Sequence, residues 1–578
     1  MSFQVSPGVN TSEIDLTTVV PAVAVSTGAI AGEFTWGPVE SIRQISNEVQ
    51  LVSTFGEPVN GFSNTFFTAA SFLAYSNDLR VVRGANTTSN NAFANLKSQA
   101  SFTAYQIKNE DDYLINRSSG VASTCFAAKY PGALGNSLKV CIWANTTVAM
   151  STWTYGSLFN KTPATSNYIA TNFKSNANDE MHIVVVDEDG LITGTANTIL
   201  ETFPNLSKAT NSKDETGQSL YYKDVLNRSS KYIYWTGHPG DASGSLTSWG
   251  VDANSSYIFP ELPTTSVTYS LTGGGAGATG LDAALTNADI IRAYDQLKSA
   301  EAVDISLVMT AAHPETVVLD VVNNLAGSRK DCVAFLSPSL ANTQSSDPTT
   351  AINNYRKNAL ANVSSSYSVM DSGWKYMYDK YNDVYRYIPL NGDIAGLCAR
   401  TDSDRDPWWS PAGITRGQIK NLVKLAYNPS KANRDELYKN DVNPVVSFPG
   451  EGTLLFGDKT LLGRPSAFDR INVRRLFIVL EKSISKAARS SLFEFNDDFT
   501  RAQFVNLVEP FLRTVQGRRG IYDYRVVCDT TNNTPEVIDR NEFVGDIYIK
   551  PAKSINFIQL NFVAVRTGVA FEEVVGKF

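Results

Sequence analysis

Apolar residues are most regularly spaced near the C-terminus, where they predict two helices. The first helix carries one apolar stripe: Val473, Leu476, Leu480, Ile484 and Ala487. A spacing of three or four residues places such side chains on one helical face. Asn472 precedes the stripe, and its side chain could accept a backbone N–H at the start of a helix. We therefore predict an amphipathic helix capped by Asn472.

A second C-terminal helix is expected after Asp497 and Asp498. Its apolar stripe consists of Phe504, Val508, Phe511 and Val515. Pro510 lies inside this pattern and should kink the helix, because proline cannot donate the backbone hydrogen bond. Gly517 suits the end of the helix.

The middle of the chain alternates between strand and helix patterns. Residues 288–297 have the spacing of an amphipathic helix, and 305–310 form a short apolar run typical of a buried strand. A helix over 314–325, with proline in its first turn, and a strand over 332–336 follow. A strand, helix and strand at this spacing predict two parallel strands joined by a crossover.

Other strands follow from alternation and turn residues. The segments 374–378 and 384–388 flank a polar turn and predict a hairpin. Near the C-terminus, strands are expected over 524–528 and 546–549, followed by a long strand around 558–562.

The N-terminal half is less regular. Helices are predicted over 46–55 and 66–75, and strands over 79–82, 138–143 and 181–187. Residues 1–20 contain Pro7 and Gly8 and then a β-branched run, so we interpret them as an arm that cannot bury itself alone. Residues 85–128 are rich in Asn, Ser and Thr, and we interpret them as a variable surface insertion.

Composition limits the possible functions. With 43% hydrophobic and 19% charged residues among 578, the chain can form sizeable cores. A net charge of -7 disfavours direct binding to nucleic acid. No apolar run approaches the roughly 20 residues of a membrane span, and the N-terminus lacks the pattern of a signal peptide. We expect a cytosolic protein without membrane insertion, whose scattered cysteines are reduced and buried.

Two glycine-rich segments resemble nucleotide-binding motifs. Residues 275–280 (GAGATG) have the GxGxxG spacing, but the helical pattern that should follow at once starts several residues later. Residues 452–460 (GTLLFGDKT) resemble a P-loop, except that Asp458 separates Gly457 from Lys459 and places a carboxylate where phosphate would bind. We interpret both as structural loops and predict no catalytic residue, cofactor or metal. A nucleotide-using α/β enzyme remains an alternative that nucleotide binding would test.

Short segments along nearly the whole chain match one family in order. The N-terminal and central matches are 7–9 (PGV), Glu13, 32–38 (GEFTWGP), 55–56 (FG), 81–83 (VVR), 130–138 (YPGALGNSL), 185–187 (VVD) with Gly190, Ser229 with 232–233 (YI), and 396–411 (GLCARTDSDRDPWWSP). The C-terminal matches are 472–476 (NVRRL), 493–496 (FEFN), 526–529 (VVCD), 533–535 (NTP), 549–551 (IKP) and 557–558 (FI). In these segments the chain resembles the contractile tail sheath proteins of T4-like phages.

This resemblance implies a fold and a division into domains. The expected fold class is a multidomain α+β and α/β protein, with a C-terminal α+β sheath core, extended terminal arms and inserted α/β outer domains. The expected divisions are an N-terminal arm (1–20), a middle domain in two parts (21–84 and 346–455), a variable surface insertion (85–128), an outer α/β domain (129–345), a C-terminal core domain facing the tail tube (456–565) and a C-terminal arm (566–578).

The resemblance also implies function and partners. The subunit would form stacked hexameric rings around a tail tube and contract to drive the tube through the host envelope for genome ejection. Its other partners would be baseplate and tail terminator proteins, and it would assemble in the host cytoplasm before residing in the virion. Residues implied in the inter-subunit arms are Pro7, Gly8, Val9, Val19, Val20, Val569, Phe571, Val574 and Val575. We expect Arg513, Arg518 and Arg519 to contact the tube. The sheath of a phage-like injection device (a tailocin) is the nearest alternative.

Overall fold

The computed structural model describes residues 25–95, 105–121, 123–241, 244–245, 248–262, 266–275, 284–556 and 559. Both predicted arms therefore lie outside the described residues, as do 276–280 of the GxGxxG segment and most of the strand expected around 558–562. The chain divides into two compact units. The C-terminal unit comprises 408–410 and the described residues from 484 onward, and the core unit comprises the other described residues up to 483.

The strands of the first half of the chain are β1 (Gly28–Gly32), β2 (Ile42–Ile45), β3 (Leu79–Arg83), β4 (Phe93–Asn95), β5 (Thr124–Ala128), β6 (Leu138–Trp143), β7 (Glu180–Asp187), β8 (Thr198–Ser207), β9 (Ile233–Trp235), β10 (Gly240–Asp241), β11 (Gly244–Ser245) and β12 (Val267–Ser270). Those of the second half are β13 (Leu307–Met309), β14 (Val333–Leu336), β15 (Ser368–Asp371), β16 (Trp374–Asp379), β17 (Val384–Pro389), β18 (Lys424–Leu425), β19 (Val442–Asn443), β20 (Val445–Phe448), β21 (Gly452–Leu455), β22 (Ile521–Val527) and β23 (Asp546–Pro551).

The α-helices are α1 (Glu48–Phe55), α2 (Ser63–Leu73), α3 (Glu110–Asn116), α4 (Asn167–Asn172), α5 (Tyr222–Ser229), α6 (Asn287–Asp295), α7 (Glu315–Asp320), α8 (Gly327–Arg329), α9 (Leu340–Thr343), α10 (Pro348–Asn354), α11 (Asn391–Asp404), α12 (Lys431–Lys439), α13 (Ile471–Ala488), α14 (Asp498–Gly517) and α15 (Pro535–Asp539). Wider π-helical turns continue α7 over Val321–Ala326 and α10 over Tyr355–Ala359. Short 3-10 turns lie at Ala133–Ser137, Met150–Thr152, Gly156–Leu158, Ala467–Asp469 and Arg489–Ser491.

A seven-stranded sheet organises the core unit, in the order β19-β15-β14-β13-β1-β3-β2. Its neighbours pair in parallel except β2, which runs antiparallel to β3. The predicted crossover is confirmed, because β13 and β14 pair in parallel around the helix that begins at Glu315. The multidomain α+β and α/β fold class is likewise confirmed.

Helices cover both faces of this sheet, because alternate strand residues point to opposite faces. Ile30 and Met309 belong to one buried cluster, which also contains residues of α2 and α11. Ala29 and Val308 belong to the other, with residues of α6 and α7. Burial on both faces explains why these strands read as continuous apolar runs rather than alternating ones.

A second part of the core unit is built on smaller sheets. Strands β12-β6-β7-β8 form one sheet and β4-β5-β9 another. Residues 85–128 contribute β4 and β5 to the sheet β4-β5-β9, and every residue of β5 is buried. The surface position expected for this segment is therefore wrong for these strands. Strands β4 and β5 are too short for a periodic pattern to show in the sequence. Strand β5 pairs with β9, which lies about 100 residues further along the chain.

The predicted hairpin and the predicted helix cap have different outcomes in the structure. The hairpin is confirmed, with β16 and β17 antiparallel from Trp374 opposite Pro389 to Asp379 opposite Val384. The cap at Asn472 is wrong, because α13 begins one residue earlier at Ile471. The Ile471 N–H donates to the Asp458 carbonyl at 2.8 Å, so a distant backbone group satisfies the first donor of this helix.

Candidate assembly surface

The C-terminal unit is built around α14 and the strand pair β22–β23. The helix begins where expected, since the Asp497 carboxylate accepts the Thr500 N–H at 2.8 Å, which lowers the pKa of Asp497. Pro510 lies inside the helix, and the helix ends at Gly517. Phe504, Val508 and Val515 of the predicted stripe are buried. The helix thus buries one face within this unit and leaves the other face exposed.

Within the part of the chain that the structure describes, strands β22 and β23 form an antiparallel sheet of two strands. On its exposed face Arg525 lies opposite Tyr548, which is 60% exposed. Among the described residues neither strand pairs with a third strand, although the carbonyls of Tyr522 and Val527 in β22 accept side-chain hydrogen bonds from Gln516 and Asn532. Such edges are the usual acceptors of an added strand from another chain.

Apolar side chains are exposed at the turn that precedes α14 and in the first turn of that helix. Leu492 is 62% exposed, Phe495 85%, Phe499 76% and Phe493 fully exposed. Phe493 also has a φ of 69°, a left-handed conformation that is costly for a bulky residue. Contiguous exposed apolar residues of this kind mark interaction sites. This surface was not predicted from the sequence, although Phe493-Glu494-Phe495 alternates apolar and charged residues beside the acidic turn residues, which could have indicated exposed phenylalanines.

The three predicted tube-contact arginines are exposed near the C-terminal end of α14. Arg513 lies on the helix, and Arg518 and Arg519 follow its last residue. Arg518 lies 5.8 Å from the centre of the Trp408 ring, and its carbonyl accepts the Trp408 indole N–H at 3.1 Å. The helix end is thereby fixed to the segment 408–410 while its cations remain at the surface. The predicted arm residues lie outside the described part of the chain.

Arg83 joins three of the segments that carried the family resemblance. Its guanidinium is 4% exposed and donates to the carbonyls of Phe34 at 2.9 Å, Gly37 at 2.8 Å and Pro131 at 2.8 Å. Arginine suits this position because its rigid fork presents several donors at once. Three matched segments, separated along the chain, therefore meet at one buried cation.

A second buried contact joins two further matched segments. Arg475 pairs with Asp402, and both side chains are under 10% exposed. Burial raises the pKa of Asp402 to about 6 against the opposing effect of Arg475. Its neighbour Arg474 lies 4.3 Å from the Tyr367 ring centre and 4.0 Å from that of Phe468. Both arginines of this segment therefore serve internal packing in the core unit.

The groups that suggested enzyme chemistry also have structural partners. The Lys459 ammonium donates to the Tyr438 carbonyl at 2.7 Å and the Asp441 carboxylate at 3.1 Å. Asp458 pairs with Arg470 at 3.1 Å. Helix α6 begins only at Asn287, beyond the GxGxxG segment. The lysine of the P-loop-like segment is thus engaged with neighbouring backbone and carboxylate groups.

The cysteines and histidines fit the interior of the molecule. All five cysteines are buried and free, as expected. Each histidine makes a hydrogen bond within the protein. His182 contacts the Lys161 carbonyl, His238 the Tyr222 hydroxyl and His313 the Ala31 carbonyl. Within the described residues, no cluster of His, Cys, Asp and Glu could hold a metal ion. In that same part of the chain no helix has the length and apolarity needed to cross a membrane.

Comparison with known proteins identifies the class. Three family models match: the phage tail sheath protein central domain over 283–461, the phage tail sheath C-terminal domain over 464–564, and the tail sheath protein Gp18 domain III N-terminal region over 26–83. A crystal structure of a sheath tail protein from Listeria innocua has a TM-score of 0.53 at 12% identity, covering 92% of this chain and 93% of that chain. The fold is therefore that of a sheath tail protein.

Sequence similarity extends over the full length. The chain is 33% identical to the tail sheath protein of Vibrio phage KVP40 and 33% identical to that of Enterobacteria phage T4, with 99% of both chains covered in each comparison. It belongs to the phage tail sheath family, which confirms the resemblance to T4-like sheaths. It is a structural subunit of a contractile tail sheath and a component of the virion. Its relatives are named as tail sheath proteins and not as enzymes.

Proposed function

We propose that this subunit polymerises as stacked hexameric rings around a tail tube and contracts to drive the tube through the host envelope for genome ejection. The observation that carries the proposal is the surface of the C-terminal unit, where an open strand pair lies in the same unit as exposed phenylalanines. A head-to-tail contact that does not close on itself builds an open helical assembly. Baseplate and tail terminator proteins would cap the assembly, which forms in the host cytoplasm.

The decisive experiment is electron microscopy of the purified full-length protein with and without its tail tube protein. We expect hollow striated tubes or stacked six-fold rings when the tube protein is present. A compact closed oligomer that binds nucleotide would contradict the proposal. Measuring the length of the tubes before and after a contraction trigger then tests the second half of the proposal.

The arms are proposed to add strands to neighbouring subunits through residues 7–20 and 566–578. The strand pair β22–β23 supports this proposal, since neither strand pairs with a third among the described residues and an added strand would extend the sheet. Deleting residues 2–20 should leave a folded protein that cannot form striated tubes, measured by circular dichroism and electron microscopy. Tubes formed by the deletion variant, or its unfolding, would contradict the assignment.

Contact with the tail tube is proposed for Arg513, Arg518 and Arg519. Their exposure on one helix end supports the proposal, because exposed cations speed and orient association with an acidic surface. Reversing all three to Glu should weaken co-sedimentation with tube protein about 10-fold or more, while the melting temperature stays within a few degrees. A matched control reverses three exposed lysines of the core unit: Lys357, Lys431 and Lys439. Equal co-sedimentation of both variants would refute the proposal.

A further inference from the structure

A lysine and a carboxylate are enclosed together in the core unit. Lys375 on β16 and Asp393 on α11 have side chains that are 1% and 0% exposed. The Lys375 Nζ lies 2.9 Å from Asp393 Oδ1 and 2.9 Å from Oδ2. A nitrogen equidistant from both oxygens lies within about 3.3 Å of the carboxyl carbon, inside the roughly 3–3.5 Å range of a near-attack arrangement.

The two carboxyl oxygens of Asp393 have different partners. Oδ1 accepts hydrogen bonds from the Lys375 ammonium and from the Tyr75 hydroxyl, the latter at 3.1 Å. The Tyr75 oxygen in turn accepts the Lys420 N–H at 2.6 Å, so its proton is directed to Asp393. Oδ2 is fully buried, and its polar contact within the described residues is the ion pair with the Lys375 Nζ at 2.9 Å. Burying two charges together carries a desolvation cost that their attraction must offset.

Burial also acts on the protonation of Asp393. It raises the pKa of Asp393 against the opposing effects of Lys375 and Tyr75. Two separated charges in such a site carry a large desolvation cost. A proton transferred from the ammonium to the carboxylate converts the ion pair into a neutral amine and a neutral acid without changing the number of protons. The neutral form is the reactive one.

We propose that Lys375 and Asp393 condense to form an isopeptide bond that links β16 to α11. The Nζ lone pair attacks the Asp393 carboxyl carbon, a C–N bond forms, and the bond to Oδ2 breaks. Oδ2 leaves with its own hydrogen and one proton from the amine as water. The products are one amide and one water molecule, and no oxidant or cofactor is consumed.

The surroundings fit the product better than the reactants. The amide oxygen, formerly Oδ1, keeps the Tyr75 hydroxyl as its donor. The amide N–H faces the Lys420 carbonyl, which lies 3.4 Å from Nζ. Two buried charges become one neutral group. Tyr75 polarises the carbonyl under attack, and the enclosed site protects the amide from water.

Such a bond would join the β16–β17 hairpin to α11 across one face of the main sheet. Both elements pack in the same buried cluster as strands β1 and β13. The bond would resist separation of these layers under mechanical load. This inference concerns the subunit alone and does not depend on the proposed assembly.

The test is the intact mass of the folded full-length protein. We expect a mass about 18 Da below that of the sequence, the loss of one water. Tryptic digestion should show no cleavage after Lys375 and a branched peptide that contains both Lys375 and Asp393. Lys375→Met should restore the full mass calculated for that variant. The control Lys482→Met removes a lysine that pairs with Asp304 and should keep the loss.

Asp393→Asn separates the covalent proposal from a purely structural ion pair. An amide at this position would condense with release of ammonia, so the variant should lose about 17 Da instead of 18. A wild-type protein at its full sequence mass, with separate peptides for Lys375 and Asp393, would overturn the proposal. That measurement is made on the wild type, so it does not depend on whether any variant folds.

Discussion

Replacing Arg83 by Met should destabilise the core unit more than the same replacement of Arg80, which lies on the same strand. The substitution keeps an unbranched side chain of similar length but removes all donors to the carbonyls of Phe34, Gly37 and Pro131. Hydrogen bonds to charged groups contribute about 1.5–3 kcal/mol each. Removing a desolvated guanidinium offsets part of that loss. We therefore expect a net cost of about 3–5 kcal/mol.

The matched control is Arg80→Met on the same strand. The Arg80 side chain is 22% exposed and pairs at 2.7 Å with Asp78, which is 25% exposed. Ion pairs that remain in contact with solvent contribute about 0.2–1 kcal/mol. Both variants lose one positive charge from β3, so the comparison isolates the effect of the buried hydrogen bonds.

Hydrogen exchange measured by mass spectrometry is the suitable assay, because a multi-unit chain does not unfold in one step. Peptides covering 32–38 and 130–138 report on the segments that Arg83 joins. A cost of 3–5 kcal/mol corresponds to about two to four powers of ten in local opening. We expect that increase in Arg83→Met and less than about a fivefold increase in Arg80→Met. Equal exchange in the two variants would refute the reasoning.

Two further changes test buried groups of the core unit. Arg475→Met leaves Asp402 without its partner and should lower the free energy of unfolding by about 3–5 kcal/mol. Adding Asp402→Leu should restore most of that stability. A denaturation series in which the double variant is no more stable than Arg475→Met would contradict this account. The buried Asp371 has its pKa raised to about 8, chiefly by burial. Between about pH 4 and 8 its folded state binds more protons than the unfolded state, so this contribution to stability falls as pH rises. Asp371→Asn should reduce the fall of melting temperature with pH across this range, and an unchanged pH dependence would exclude Asp371 as a contributor.

Local patterns predicted many elements correctly. The start of α14 at Asp497 depends on one side chain and a backbone N–H three residues away. The β16–β17 hairpin likewise depends on two alternating segments and the turn between them. In each case the determining contacts lie between residues close together in the chain, so the local sequence is enough to predict the element. The π-helical continuation of α7 had no such signal.

Long-range contacts were not predictable in this way. Asn472 has the chemistry of a cap, yet the helix begins earlier because the Asp458 carbonyl accepts its first N–H. Residues 85–128 read as a surface segment, yet β5 is buried because β9 pairs with it. The arginines Arg83 and Arg475 carried no sign of their partners, although their segments matched the family.

The family, the fold class and the strongly periodic elements follow from the amino-acid order alone, because each rests on order along the chain or on contacts between near neighbours. The tertiary structure decided which matched segments meet, which strands are buried and which apolar residues stay exposed. Those outcomes depend on groups far apart in sequence, as with Arg475 and Asp402, which are 73 residues apart and form a buried ion pair. Burial then changes the chemistry of such groups, since the same side chains in water would remain a solvated ion pair.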